Sequence, residues 1–148
     1  MRLSTTAVQE AAEVTVAQQM SFPSGLIGFP GFTRAEVVYQ KEQLPFMWLK
    51  GAGAEPLSFI VVEPAGFLKD YEIEITDPDV EALGLEEPAD ALVLAIATLH
   101  KSAKKNSITL NLIGPIVANR RTLQARQIII GNCQKYSARH PLFETTVA

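Results

Sequence analysis

Hydrophobic and polar positions alternate with period two along much of this chain, the signature of half-buried β-strands. In Tyr71-Glu72-Ile73-Glu74-Ile75-Thr76 the alternation puts Tyr71, Ile73 and Ile75 on one face and two glutamates on the other. Ser107-Ile108-Thr109-Leu110-Asn111-Leu112 repeats the pattern, and Val14 and Val16 flank Thr15 in a candidate N-terminal strand. Antiparallel strands with one wet face read this way. Three runs are apolar on both faces: Leu57 to Val62, Leu92 to Leu99 and Ile128 to Ile130. Their length and β-branching predict central, buried strands.

One short helix is predicted after Asp77. Asp77 suits the N-cap and Pro78 the first helical position. Asp79 and Glu81 favour the positive end of the helix dipole, and Gly84 is a natural stop. Turn signals fall at Pro23-Ser24-Gly25, Gly51 to Gly53, Pro64-Ala65-Gly66, Lys101 to Asn106, Gly114-Pro115 and Gly131-Asn132. Short strands between evenly spaced turns indicate a mostly β fold, a small antiparallel β-barrel, closed or partly open, with one short helix. No internal repeat or low-complexity linker divides the 148 residues, which suit a single domain over 1–148.

Cysteine and charge narrow the class. The lone Cys133 excludes a disulfide framework and points to a reducing compartment. Met1 to Gln19 lacks the continuous apolar core of a signal peptide, and no run reaches the ~18 apolar residues of a membrane span. A cytoplasmic protein without membrane association is expected. Residues 1–98 carry 5 Lys/Arg against 15 Asp/Glu, whereas residues 99–148 carry 8 against 1. Either the two halves pair with each other in the fold, or the asymmetry marks a charged partner surface.

Candidate chemistry is thin. Gly25, Gly28 and Gly31 lack the G-x-G-x-x-G spacing and a following helix, so they read as backbone turns rather than a phosphate cradle. Cys133 and His140 have no third orienting group, and with His100 they make no recognisable metal set. Glu72 and Glu74 share a strand face about 7 Å apart, where carboxylates are usually solvated and discourage edge pairing. Lys101, Lys104 and Lys105, with Arg120, Arg121 and Arg126, invite an alternative reading, an RNA-binding small β-barrel using the basic C-terminal half. From His100 to Gln134 there is no Phe, Tyr or Trp to stack on bases, and the net charge of −3 opposes a polyanion. No enzyme, cofactor or metal is implied.

The motifs go further. Phe22-Pro23-Ser24-Gly25-Leu26-Ile27-Gly28-Phe29 resembles the F-x-x-G-L-P-G-F opening of the FliW family. Ser58-Phe59-Ile60-Val61-Val62-Glu63-Pro64 resembles the strand-then-proline segment that follows in that family, and Phe67-Leu68-Lys69-Asp70-Tyr71-Glu72 its F-x-P-D-Y-E. Asn111-Leu112-Ile113-Gly114-Pro115-Ile116-Val117-Ala118-Asn119 is similar to N-L-x-A-P-I-V-I-N. Gln127-Ile128-Ile129-Ile130 is similar to Q-V-I-L, and Tyr136 with His140-Pro141-Leu142 to the family's ending. The segments occur in family order from about Met20 to Leu142. Ile27, Lys69, Gly114 and Ala118 depart from the usual proline, proline, alanine and larger apolar residue.

The resemblance implies a small β-barrel-like fold and a three-protein switch. Such proteins bind newly made flagellin in the cytoplasm, and they bind the RNA-binding repressor CsrA, which blocks flagellin translation. Flagellin export frees the factor to capture the repressor. A repressor that binds RNA carries a basic surface, so Glu63, Asp70, Glu72 and Glu74 are candidates to contact it. Flagellin's terminal amphipathic helices need apolar anchors, for which Phe32, Phe46, Met47, Trp48 and Phe67 are candidates. A monomer is expected, with no direct contact to nucleic acid.

Overall fold

The computed structural model describes residues 1–4, 18–52 and 57–146. The candidate strand at Val14 and Val16 and the end of the turn at Gly53 lie outside them. Among the described residues ten strands and one α-helix occur in the order β1 (Arg2–Ser4), β2 (Gln18–Ser21), β3 (Arg34–Val38), β4 (Met47–Gly51), β5 (Ser58–Val62), β6 (Glu72–Glu74), α1 (Asp77–Leu83), β7 (Ala91–Lys101), β8 (Lys105–Asn119), β9 (Ala125–Gln127) and β10 (His140–Thr146).

The strands form one strongly curled antiparallel sheet, a half-barrel, in the order β10-β8-β7-β5-β4-β3-β2. β10 pairs with β8 along Lys105–Leu110, and β9 pairs with it along Ile116–Ala118. At the other end of the sheet, Ser21 of β2 makes a parallel bridge to Gln124, and its N–H donates to Leu123 O at 3.0 Å. The curl therefore brings its last strand back to the chain entering β9. A separate two-stranded sheet pairs β1 with β6.

Two cores result. One fills the curl with residues from nearly every strand, among them Met20, Ala35, Leu49, Val61, Leu94, Ile116 and Ala125. The other lies under β6 and α1, where Tyr71, Ile73, Ile75 and Leu83 meet Val93, Ala95, Leu110, Leu112 and Val117. Each buried aliphatic side chain adds about 1.5–3 kcal/mol relative to exposure.

The long strands β7 and β8 serve both cores because of a break in register. Leu94 faces Ile116, whereas Ile96 faces Asn111, so Leu112–Pro115 stand opposite Ala95 alone. This odd shift flips the parity of β8. Leu110 and Leu112 point into one core, and Ile116 and Ala118 into the other.

The bulge leaves no ladder partner for its peptide groups, and other partners satisfy them. Asn111 Oδ1 accepts from the N–H of Ile113 (3.1 Å) and of Gly114 (2.9 Å). Leu112 N–H donates to Ser137 O (3.0 Å), and Leu112 O accepts the Tyr71 hydroxyl at 2.5 Å. Ile113 O and Pro115 O accept from Ile130 and Ile128, and Gly114 O accepts from Gln127 Nε2 (3.0 Å).

Three expectations change here. Gly114-Pro115 is no turn between strands but the bulge within β8, since Pro115 lacks a ladder donor. Ile128 to Ile130 is no central strand; it runs beside the bulge, with Ile128 and Ile130 buried and Ile129 51% exposed. The helix N-cap is Thr76, whose Oγ1 lies 3.1 Å from Asp79 Oδ2, one residue before the expected Asp77. Gly84 closes α1 at φ +66°, as its left-handed stop requires.

Candidate functional site

The predicted acidic residues do not form one cluster. Asp70, Glu72 and Glu74 lie together on the approach to β6 and along it, Asp70 and Glu72 exposed and Glu74 half-buried. Period-two geometry turns Tyr71, Ile73 and Ile75 into the core and leaves the carboxylates outward. Glu63 sits elsewhere, at the end of β5. Burial pushes its carboxyl above the ordinary value, and the Arg120 guanidinium partly offsets this.

β6 is anchored from below. The Tyr71 hydroxyl reaches Leu112 O in the bulge, and its ring meets the Tyr136 ring edge-on at 4.8 Å. Burial, chiefly, and then Tyr136 push the Tyr71 phenol far above its ordinary range, so it stays a hydrogen-bond donor.

The aromatic candidates separate into three places. Phe46 and Phe67 are half-buried and meet each other at 6.0 Å, and Phe143 on β10 joins both at 6.2 and 5.9 Å. Phe143 is 48% exposed, so this trio presents an aromatic face to solvent. Sequence reasoning missed Phe143, because the family-like ending stops at Leu142. Phe32 is buried at 5% exposure, its ring between Phe22 and Phe59 at 5.5 Å from each. Phe32 is thus part of the core. Met47 packs against the same core. Trp48, 37% exposed, borders a shallow open depression with Val38, Tyr39, Gln40, Lys50 and Ser58.

The charge asymmetry is partly consumed within the fold. Arg126 pairs with Asp79 at 3.5 Å, and Arg121 with Asp90 at 3.3 Å and Glu86 at 3.8 Å. Of the six basic residues behind the RNA-binding alternative, Arg121 and Arg126 thus face carboxylates, and Arg120 acts on Glu63. Lys101, Lys104 and Lys105 lie around the β7–β8 hairpin end.

Asp90 ties the helical segment to the end of β8. Its carboxylate accepts from the N–H of Glu86 (3.0 Å) and of Glu87 (3.1 Å), which, with Arg121, hold its pKa below the ordinary 3.8. Folded Asp90 binds its proton less readily than unfolded Asp90. Its contribution is therefore present above the unfolded value and is lost as pH falls through that value to the lower folded one. An Asp90→Asn variant is expected to be less stable than the parent at pH 7, and by a smaller gap at a pH below 3.8. Thermal midpoints at the two pH values check this, and a constant gap would contradict it.

Among the described residues no group of His, Cys, Asp and Glu could hold a metal ion, and no helix is long and apolar enough to cross a membrane. Cys133 is a half-buried free thiol. The site is thus surface rather than pocket, an acidic strand and an aromatic face on a curled sheet. Such a surface offers charge and aromatic rings of the kind that protein partners bury.

Comparison with known proteins agrees. The family profile described as "FliW protein" matches residues 3–142. The chain is 34% identical to the flagellar assembly factor FliW of Natranaerobius thermophilus, over 88% of this chain and 85% of that protein. It is 38% identical to the Clostridium novyi flagellar assembly factor FliW, over 84% and 85%. A crystal structure of the flagellar assembly factor FliW superposes with a TM-score of 0.73 at 26% identity, covering 97% of each chain. This chain belongs to the FliW family of flagellar assembly factors.

Proposed function

We propose that this protein binds flagellin in the cytoplasm as a chaperone-like partner and antagonises a CsrA-type translational repressor, so that flagellin synthesis follows export. The observation that carries the reading is the half-exposed ring cluster of Phe46, Phe67 and Phe143. An amphipathic helix docks by burying apolar anchors, and rigid aromatic rings supply contact area at low entropic cost. The acidic strand supports the second half, since a basic RNA-binding partner is drawn to such a face.

Calorimetric titration with flagellin and, separately, with the repressor of the same genome tests the function. Micromolar or tighter binding to each is expected, with each partner excluding the other in a competition titration. Binding to neither would sink the proposal. For the ring cluster, Phe143→Ala is expected to weaken flagellin binding about tenfold and to leave the repressor unaffected. Trp48→Ala serves as the comparison from another surface. Full flagellin affinity in Phe143→Ala and Phe67→Ala proteins that remain folded would remove the cluster from the interface.

A further inference from the structure

The acidic strand β6 has its backbone satisfied on both edges, but by different means. On one edge β1 pairs with it, and beyond β6 Ile75 N–H donates to Met1 O at 2.7 Å. On the other edge a turn takes the place of a strand. Asn132 Oδ1 accepts Glu74 N–H at 2.9 Å while its Nδ2 donates to Glu72 O at 2.8 Å. Tyr136 Oη accepts Glu72 N–H at 3.0 Å and donates to Asp70 O at 3.3 Å. Gly131 N–H adds a bond to Glu74 O at 2.7 Å.

Two side chains thus copy the donor–acceptor alternation of a neighbouring strand. The clamp is itself fixed, because the Tyr136 ring stands against buried Tyr71 and Ser137 O holds Leu112 N–H at the bulge.

We infer that Asn132 and Tyr136 are positioning residues of the acidic surface, holding Asp70, Glu72 and Glu74 in a preformed row for a basic partner. The inference rests on the reading of that surface as the repressor site. Its physical basis is preorganisation. A three-residue strand has little pairing of its own, so its carboxylates keep their spacing only if both edges are held. Ordering them during binding would otherwise cost affinity, and a spread-out row would present a weaker field.

The test uses the full chain. Tyr136→Phe removes the hydroxyl and keeps the ring; Asn132→Ala removes both amide contacts; Glu72→Gln/Glu74→Gln removes charge and keeps shape. Each is titrated with the repressor at low and high salt and with flagellin, alongside thermal midpoints and amide hydrogen exchange at Glu72 and Glu74. Tyr136→Phe and Asn132→Ala are expected to weaken repressor binding roughly fivefold at low salt. The salt dependence flattens, exchange at the two amides quickens, and flagellin affinity holds. If the glutamine pair weakens repressor binding while the two clamp variants leave it intact, the positioning role falls and the surface stands. Equal losses toward both partners mean general loosening and also overturn it. An intact affinity in the glutamine pair removes the surface assignment, and the positioning role with it.

Discussion

A Gly25→Ala variant is expected to lose about 3 kcal/mol of stability. Two costs add. Gly25 has φ +68°, a left-handed conformation that costs an L-residue about 1–2 kcal/mol. A Cβ there would also lie 2.6 Å from Pro30 O, 2.7 Å from Phe29 O and 2.7 Å from Pro30 Cα. These are backbone atoms of a tight loop in which Gly25 N–H donates to Phe22 O, and Leu26 and Phe29 exchange backbone bonds of 3.0 and 2.8 Å. Making room means opening the loop that sets Phe22 and Phe32 into the core. For a domain of this size the thermal midpoint should fall by about 10 °C. Gly28 separates the two costs. It has φ +85° but nothing within 4 Å of a Cβ, so Gly28→Ala should lose only the conformational part, about 1–2 kcal/mol. Equal losses at the two positions would show that the close approach at Gly25 contributes nothing.

Charge reversal of the acidic strand, Glu72→Lys with Glu74→Lys, is expected to weaken repressor binding roughly a hundredfold at low salt. Each substitution removes an attraction and adds a repulsion of similar size, and the two side chains lie on one strand face. Most of the loss should appear in the association rate. It should shrink severalfold as salt rises from 0.05 to about 0.5 M, because exposed charges beyond a Debye length are screened. Flagellin affinity should hold if the aromatic face serves that partner. An unchanged repressor affinity at low salt would take the acidic strand out of the interface, and a loss independent of salt would assign it to shape rather than charge.

Much of the fold was legible because local chemistry and tertiary environment agree. The alternation from Tyr71 to Ile75 is read correctly, as Tyr71, Ile73 and Ile75 are all buried. Gly25 announced its turn and Gly84 its helix stop, since each adopts a backbone that a side chain resists. β8 was less legible. Its period-two pattern gives no sign that parity reverses between Leu112 and Ile116, because the reversal comes from pairing across 15 to 22 residues of chain. Ile128 to Ile130 looked like a strand for its β-branching, yet its partner is a bulge rather than a ladder. The candidate surfaces were harder still. Aromatic residues near turns look alike in sequence, whether sandwiched as Phe32 is or half-exposed as Phe143 is. Glu63 and Glu72, nine residues apart, end in different electrostatic settings because Arg120 arrives from β8. Only the fold decides such placements.

The reversed parity of β8 also sets where the chain can change length. Removing one residue between Leu112 and Pro115 would make the shift even, so Ile116 and Ala118, both fully buried, would reach their own core by plain alternation, but without the bulge whose peptide groups Tyr71, Asn111 and Ser137 hold. Adding one would likewise make the shift even and dissolve that bulge. That stretch contacts no proposed partner surface directly, yet its residue count is as constrained as any side chain on one. The other end of the same hairpin is different. Ser102, Ala103 and Lys104 are exposed and lie beyond both cores, and Ser102 closes the turn with bonds to Lys105. Insertions and deletions among relatives should therefore collect at that tip and avoid the bulge, so that length variation along this hairpin traces the boundary between its two cores.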